Sequence, residues 1–406
     1  MTSFEEVDAR SLAELREAGV GSSKWDTFPD AIGSFIAESD YGTAPAVRRV
    51  VAEQLERQSF GYVTKAAKAE LGAALSEWMH DRYAWQVDLE WIGVLPEVLT
   101  SLELTIEHYT RPGSAVILPT PTYMPFFTLP VDHGREIVET PLLQDAGGSW
   151  GFDYEAINRA FARGAGLLVL SNPSNPTGTV FTREQLLSLV DIVDRHGGRV
   201  WSDEIHAPLV FGGLAHVPYA SLSDVAANHT VTATSASKGW NIAGLKASQI
   251  VFSNTRDLET WHRIQRWPSH TAGTLGILAS TAAYREGRDW LDALVTHLDG
   301  NRRLLSGLVD EHLPGVDYVE PDASYLAWLD FRGILADAPV AVRGSASRRA
   351  ADAPPTRLGR RARTQAGVAA TDGLLCGAHF DGWLRINFAT ARPILAETVR
   401  RLESLV

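Results

Sequence analysis

Three short stretches hold the residue types that covalent and acid–base chemistry needs: residues 171–178 (SNPSNPTG), 202–206 (SDEIH) and 235–246 (SASKGWNIAGLK). In the last, Lys238 follows a β-branched run and sits among small residues and hydroxyls, with a second lysine, Lys246, eight positions on. A surface lysine is ordinarily a solvated charge. This setting suits an amine that condenses with an aldehyde beside a phosphate. Read singly, each residue has a plainer meaning: Asp203 as a helix cap or surface carboxylate, Asn175 as a turn residue before proline.

The surrounding elements decide whether the three stretches can meet. Short apolar runs, LLVL from Leu167, RVWSDEI, TVTAT and SQIVF, read as strands. Helical patterns alternate with them: Val47, Val50, Val51 and Leu55 after Pro45, then Leu71, Leu75 and Trp78, then TSLELTIEHYT after the strand-like WIGVLPEV. Thr182 with Gln185 forms a capping-box pattern before Leu186, Leu189, Val190 and Val193, and Gly197-Gly198 ends that helix. Alternation of this kind predicts an α/β fold with a mostly parallel sheet covered on both faces. Ligands of such sheets bind beyond the carboxyl ends of the strands. Asn175, Asp203 and Lys238 should therefore face one crevice.

Bulk properties narrow the function classes. A chain of 406 residues exceeds a usual single core. The net charge of −12 gives no reason to expect nucleic acid or an anionic membrane as partner. One cysteine, Cys376, excludes an internal disulfide framework and a Cys-rich metal site. The acidic N-terminus does not read as a secretion signal, and no run approaches the roughly 20 apolar residues of a membrane span. A soluble cytoplasmic protein is the expectation. Residues 285–406 change pattern, opening with a long helical stretch (DWLDALVTHLDGNRRLLSGLVDEH) and carrying, near residues 337–362, an Ala/Arg/Ser/Pro-rich insertion expected to be flexible.

Taken together and in this order, SNPSNPTG, SDEIH and SASKGWNIAGLK resemble the pyridoxal-phosphate enzymes of the class I/II aminotransferase family, fold type I, from about Trp25 to the C-terminus. The resemblance implies a large domain over residues 45–284 with a seven-stranded-type sheet sandwiched by helices. A smaller α+β domain would come from both termini, residues 1–44 and 285–406. It implies that Lys238 bonds covalently to the cofactor aldehyde and then serves as general base, that Asp203 pairs with the pyridine nitrogen, and that Asn175 meets the phenolic oxygen. Ser235, Ser237 and Lys246 would bind the phosphate. Tyr123 would stack on the ring, though a tyrosine in a proline-rich loop also suits plain packing. Arg385 in WLRINF would clamp the substrate α-carboxylate, the plainer reading being a strand-end ion pair. Tyr62 would reach the phosphate of a neighbouring subunit, which makes the enzyme a homodimer with shared sites.

His206 stands where many aminotransferases carry a tyrosine, and SDEIH is similar to the cystathionine β-lyase and cysteine-S-conjugate β-lyase branch. The resemblance therefore implies a carbon–sulfur β-lyase acting on cystathionine or another S-substituted L-cysteine. An aminotransferase, or a binding protein that kept the fold without the chemistry, are the alternatives. One position departs from the family: Glu97 replaces the usual glycine where backbone amides approach the phosphate, beside Val98, which is carried over as a phosphate contact. Two patterns are decoys. Ser149 in GGSWG lacks the strand before and helix after it that a hydrolase nucleophile needs, with Asp153 the better helix cap, and Gly164-Ala165-Gly166 precedes its strand.

Overall fold

A computed structural model describes residues 3–335 and 357–406. Its centre is a seven-stranded sheet whose strands lie in the order Ile92–Leu95, Ser248–Phe252, Thr230–Thr234, Arg199–Asp203, Leu167–Ser171, Val116–Thr120 and Ile137–Pro141. All run parallel except Ser248–Phe252, which is antiparallel to both neighbours. Successive residues of each strand enter opposite cores. Ile117, Leu168, Leu170 and Val200 pack on one face, while Val116, Leu118, Leu167, Val169 and Trp201 pack on the other. Burial on both faces is why these strands read as unbroken apolar runs.

Helices flank the sheet where the apolar spacing requires. Pro45 opens Pro45–Glu56 at the position where its missing N–H is harmless. The capping box is present, Thr182 accepting from Gln185 N–H while the Gln185 side chain accepts from Thr182 N–H at the start of Arg183–Arg195. Asp153 caps Tyr154–Ala162, and Ser149 lies in the turn between Leu143–Gln144 and Trp150–Gly151. The opening segment forms three short helices, Phe4–Asp8, Leu12–Ala18 and Ser23–Asp26, with Val20 left exposed between the last two. The long C-terminal pattern is one helix, Arg288–His312.

A four-stranded antiparallel sheet in the order Asp317–Tyr318, Leu326–Asp330, Trp383–Asn387, Thr371–Asp372 carries Arg385. One hydrophobic cluster joins this sheet, the N-terminal helices and the helix Arg288–His312. Most of the insertion expected near residues 337–362 lies outside the described residues, and its last part is the start of the helix Arg357–Thr364. Among the described residues no helix is long and apolar enough to cross a membrane.

Candidate active site

Register brings the chemistry together. Ser171 is paired with Asp203 and Asp203 with Ala233, so three adjacent strands end level and their loops leave side by side. The Asn172 N–H donates to the Asp203 carbonyl at 3.0 Å, tying two of those loops. Gly178 closes the first. It has φ +70°, and a Cβ there would stand 2.2 Å from Pro321 Cβ and 2.7 Å from the Ala323 carbonyl. Glycine is thus required both by the left-handed backbone and by the close approach of residues 321–323.

Asp203 is buried, and one carboxyl oxygen accepts from the Ile205 N–H at 3.1 Å. Burial raises its pKa to about 7, against the pull of the Ile205 bond and of Lys238. Lys238 donates from Nζ to the Ala37 carbonyl at 2.9 Å. Burial first, and the Arg385 cation second, lower its pKa to about 8, with Glu38 and Asp203 opposing. Such an amine is far easier to deprotonate than an ordinary lysine.

Arg385 is buried and its guanidinium donates to Asn175 Oδ1 at 2.9 Å, to Thr371 Oγ1 at 3.0 Å and to the Phe35 carbonyl. Its Nε has no partner among the described residues. The bond to Asn175 Oδ1 leaves the amide nitrogen of Asn175 as its free end. Tyr123 is half-buried in edge contact with Phe126, and burial raises its pKa, with Arg385, Asp203 and Glu97 all close enough to act on it. His206 is buried, with Nδ1 3.0 Å from Ser324 Oγ.

The expected phosphate contacts are less uniform. Val98 is the first residue of the helix Val98–His108, whose start is fixed by Ser101: its hydroxyl donates to the Val98 carbonyl and accepts from Trp201 Nε1 at 2.8 Å. Ser235 does not offer a free hydroxyl. Its Oγ is buried, donates to the Ala247 carbonyl at 2.8 Å and accepts from the Ser237 N–H at 3.0 Å, so it organises the turn that presents Ser237 and Lys238. Lys246 is ion-paired with Glu97. Tyr62 is 88% exposed and stacks on His270 at 5.5 Å, on a surface groove also lined by Phe60, Val63 and Lys68. Within one chain it is not gathered with the others.

Sequence reasoning missed the N-terminal segment. The carbonyls of residues 35–38 accept in turn from Arg385, from Asn387 Nδ2, from Lys238 with Tyr325, and from Lys24 with Asn387. It also missed the buried Glu204, which accepts from Ser202 Oγ at 2.9 Å and from the Tyr219 N–H at 3.0 Å and faces His216 Nε2 at 3.0 Å. The SDEIH stretch pointed at Glu204 without revealing its partner.

Residues 35–402 match the family model described as aminotransferase class I and II. The chain belongs to this family. It is 37% identical to a cystathionine beta-lyase of Corynebacterium glutamicum over 384 residues, 94% of this chain and 96% of the relative. It is 32% identical to a cystathionine beta-lyase of Bacillus subtilis, covering 95% and 97%. In three dimensions it is similar to a Corynebacterium diphtheriae protein assigned as a pyridoxal-phosphate-dependent beta-cystathionase, with a TM-score of 0.85, 36% identity and 97% of each chain covered. A pyridoxal-phosphate-bound C-S lyase from Staphylococcus hominis gives a TM-score of 0.84 at 25% identity, covering 99% and 98%.

The cofactor of this family member is pyridoxal 5′-phosphate, and the donor set fits it. Lys238 supplies an amine of lowered pKa, and, among the described residues, Asp203 has one carboxyl oxygen uncommitted and Asn175 an amide nitrogen without a partner.

Proposed function

We propose that this protein is a pyridoxal-phosphate-dependent carbon–sulfur β-lyase that cleaves cystathionine, or another S-substituted L-cysteine, with water to a thiol, pyruvate and ammonia. The observation that carries the chemistry is a half-buried lysine of lowered pKa and a buried carboxyl beyond the ends of two adjacent strands of the large sheet, with a buried arginine from the smaller sheet acting on that lysine. Likeness to cystathionine beta-lyases over nearly the whole chain supports the choice of reaction.

Arg385 offers the substrate carboxylate a planar set of donors, which fixes Cα relative to Lys238. Lys238 accepts the Cα proton at Nζ and, once charged, is placed to return a proton to the departing sulfur. Asp203 holds a proton at the cofactor's ring nitrogen, and Asn175 donates to the phenolic oxygen. The bound cofactor supplies the electron sink for the pair left at Cα. Tyr123 covers the ring, and the start of the helix Val98–His108 with Ser237 and Lys246 faces the phosphate. Residues 45–284 form the cofactor-binding domain in this reading, and residues 1–44 with 285–406 the smaller one. Two copies pair so that Tyr62 completes its neighbour's phosphate site, and the enzyme works in the cytoplasm.

The deciding assay supplies cystathionine or an S-alkyl cysteine with and without a keto acid. Pyruvate and free thiol in the absence of a keto acid are expected, together with an absorption band that Lys238→Ala abolishes. Turnover only with a keto acid would establish an aminotransferase instead.

A further inference from the structure

Ser324 is fully buried and holds φ +74°, a left-handed conformation that a non-glycine residue adopts only when its surroundings impose it. Three main-chain bonds impose it: Ala323 N–H to the Gly178 carbonyl at 2.9 Å, Ser324 N–H to the Leu209 carbonyl at 2.9 Å, and Phe388 N–H to the Tyr325 carbonyl at 2.9 Å. The result is that the Ser324 hydroxyl is held against one group alone, His206 Nδ1, at 3.0 Å.

This contact decides where the imidazole proton sits. A buried hydroxyl hydrogen without an acceptor costs about 1–3 kcal/mol. Nδ1 is the only acceptor Ser324 Oγ has among the described residues, so the hydroxyl donates and Nδ1 must be bare. The ring is neutral as well, because burial and then the cations of Lys238 and Arg385 push its pKa down to about 3. A neutral ring with a bare Nδ1 carries its hydrogen on Nε2. No described residue pairs with Nε2.

We propose that Ser324 is a positioning residue that locks His206 as the neutral, Nε2-protonated imidazole, so that this ring presents the site with a hydrogen-bond donor and never with a base. Asn175 is oriented in the same sense by Arg385, whose bond to Oδ1 leaves the amide nitrogen without a partner among the described residues. The proposed function places Asn175 at the cofactor's phenolic oxygen; with Nε2 of His206 reaching the same oxygen, two donors set by second partners would favour its ionised form. The identity of that oxygen rests on the proposed function; the tautomer does not.

The test is ring-nitrogen NMR on the full-length holoenzyme labelled with [15N]histidine, with His206 assigned by its loss in His206→Asn. A protonated Nε2 and bare Nδ1 are expected, unchanged between about pH 5 and 8, where an ordinary histidine titrates. Ser324→Ala should release the ring to a mixture of tautomers and move the acid–base midpoint of the cofactor band upward. Ser324→Gly, which tolerates the left-handed backbone but also lacks the hydroxyl, should do the same, separating hydroxyl from conformation. A hydrogen on Nδ1 in the unaltered enzyme, or a ring pattern unmoved in both variants, would overturn the proposal. A missing Lys238-dependent band would instead count against the cofactor reading and leave the ring measurement standing.

Discussion

The carboxylate of Glu97 is ion-paired with the ammonium of Lys246 at the start of the helix Val98–His108. Glu97 occupies the N-cap position without capping the helix, its side chain reaching Lys246 and leaving the first-turn amides uncapped by it. In the proposed function, a phosphate arriving there competes for the lysine. Both side chains are about half exposed, so the pair contributes only about 0–1 kcal/mol. Glu97→Gly should therefore tighten cofactor binding, by up to about fivefold, whereas Lys246→Ala should weaken it. Titration of cofactor-stripped protein by absorbance checks this, with pyridoxal lacking the phosphate as a control that neither change should affect.

The lowered pKa of Lys238 has a defined sign. Its reactive, unprotonated fraction grows as pH rises through about 8, so the rate of cofactor uptake by stripped protein should climb to a plateau above that value. Arg385 is the second cause of the lowering, so Arg385→Gln should move the midpoint to higher pH. Stopped-flow absorbance against pH measures both. A midpoint near that of a free lysine, or a downward shift in the variant, would sink the assignment.

Asp203→Asn keeps the shape of the side chain and removes the charge that, in the proposed function, holds a proton on the ring nitrogen. A kcat lower by roughly 10²–10³-fold with little change in KM is expected, in line with the loss of one electrostatic group at a reacting centre. Steady-state kinetics on cystathionine, beside the band intensity as a check of cofactor content, reads it out.

Gly178→Ala should destabilise the fold and depress activity together. The added methyl meets Pro321 at 2.2 Å and the backbone is left-handed, so a cost of about 1–3 kcal/mol follows. Denaturant unfolding measures the first effect, and an unchanged midpoint would contradict the close approach.

Lys24 and Asp40 form a buried ion pair at 2.8 Å, reinforced by Trp25 Nε1 donating to Asp40 at 3.0 Å. Removing one partner leaves the other charged and enclosed. Lys24→Met is expected to cost about 3–5 kcal/mol in unfolding free energy, and the double change Lys24→Met with Asp40→Leu less than the single one.

What the chain discloses before folding follows from the kind of contact each residue makes. Strand ends and the loops behind them were legible because burial on both faces imposes apolar runs, and Lys238, Asp203 and Asn175 could be placed from them, whereas Arg385 was singled out only by the resemblance of WLRINF. The Glu97–Lys246 pair was not, since residues 149 apart carry no mark of meeting. Ser235 has the residue type of a phosphate ligand, yet only the fold reveals that its hydroxyl is already committed to Ala247. Ser324 was invisible for a similar reason: its role comes from a left-handed backbone just before the strand Leu326–Asp330, which its residue type does not announce.

The N-terminal segment grips the site through main-chain oxygens, with the Glu38 carboxylate as its one side-chain charge acting on Lys238. Residues 35–38 steady Arg385 and hold the amine of Lys238 with carbonyls that every amino acid possesses. An alanine scan across them would register the loss of the Glu38 charge but leave those four oxygens in place and miss their part. Only shortening or re-routing the chain there would disarm the two residues at once, so the map of this enzyme drawn by substitution would omit one of its walls.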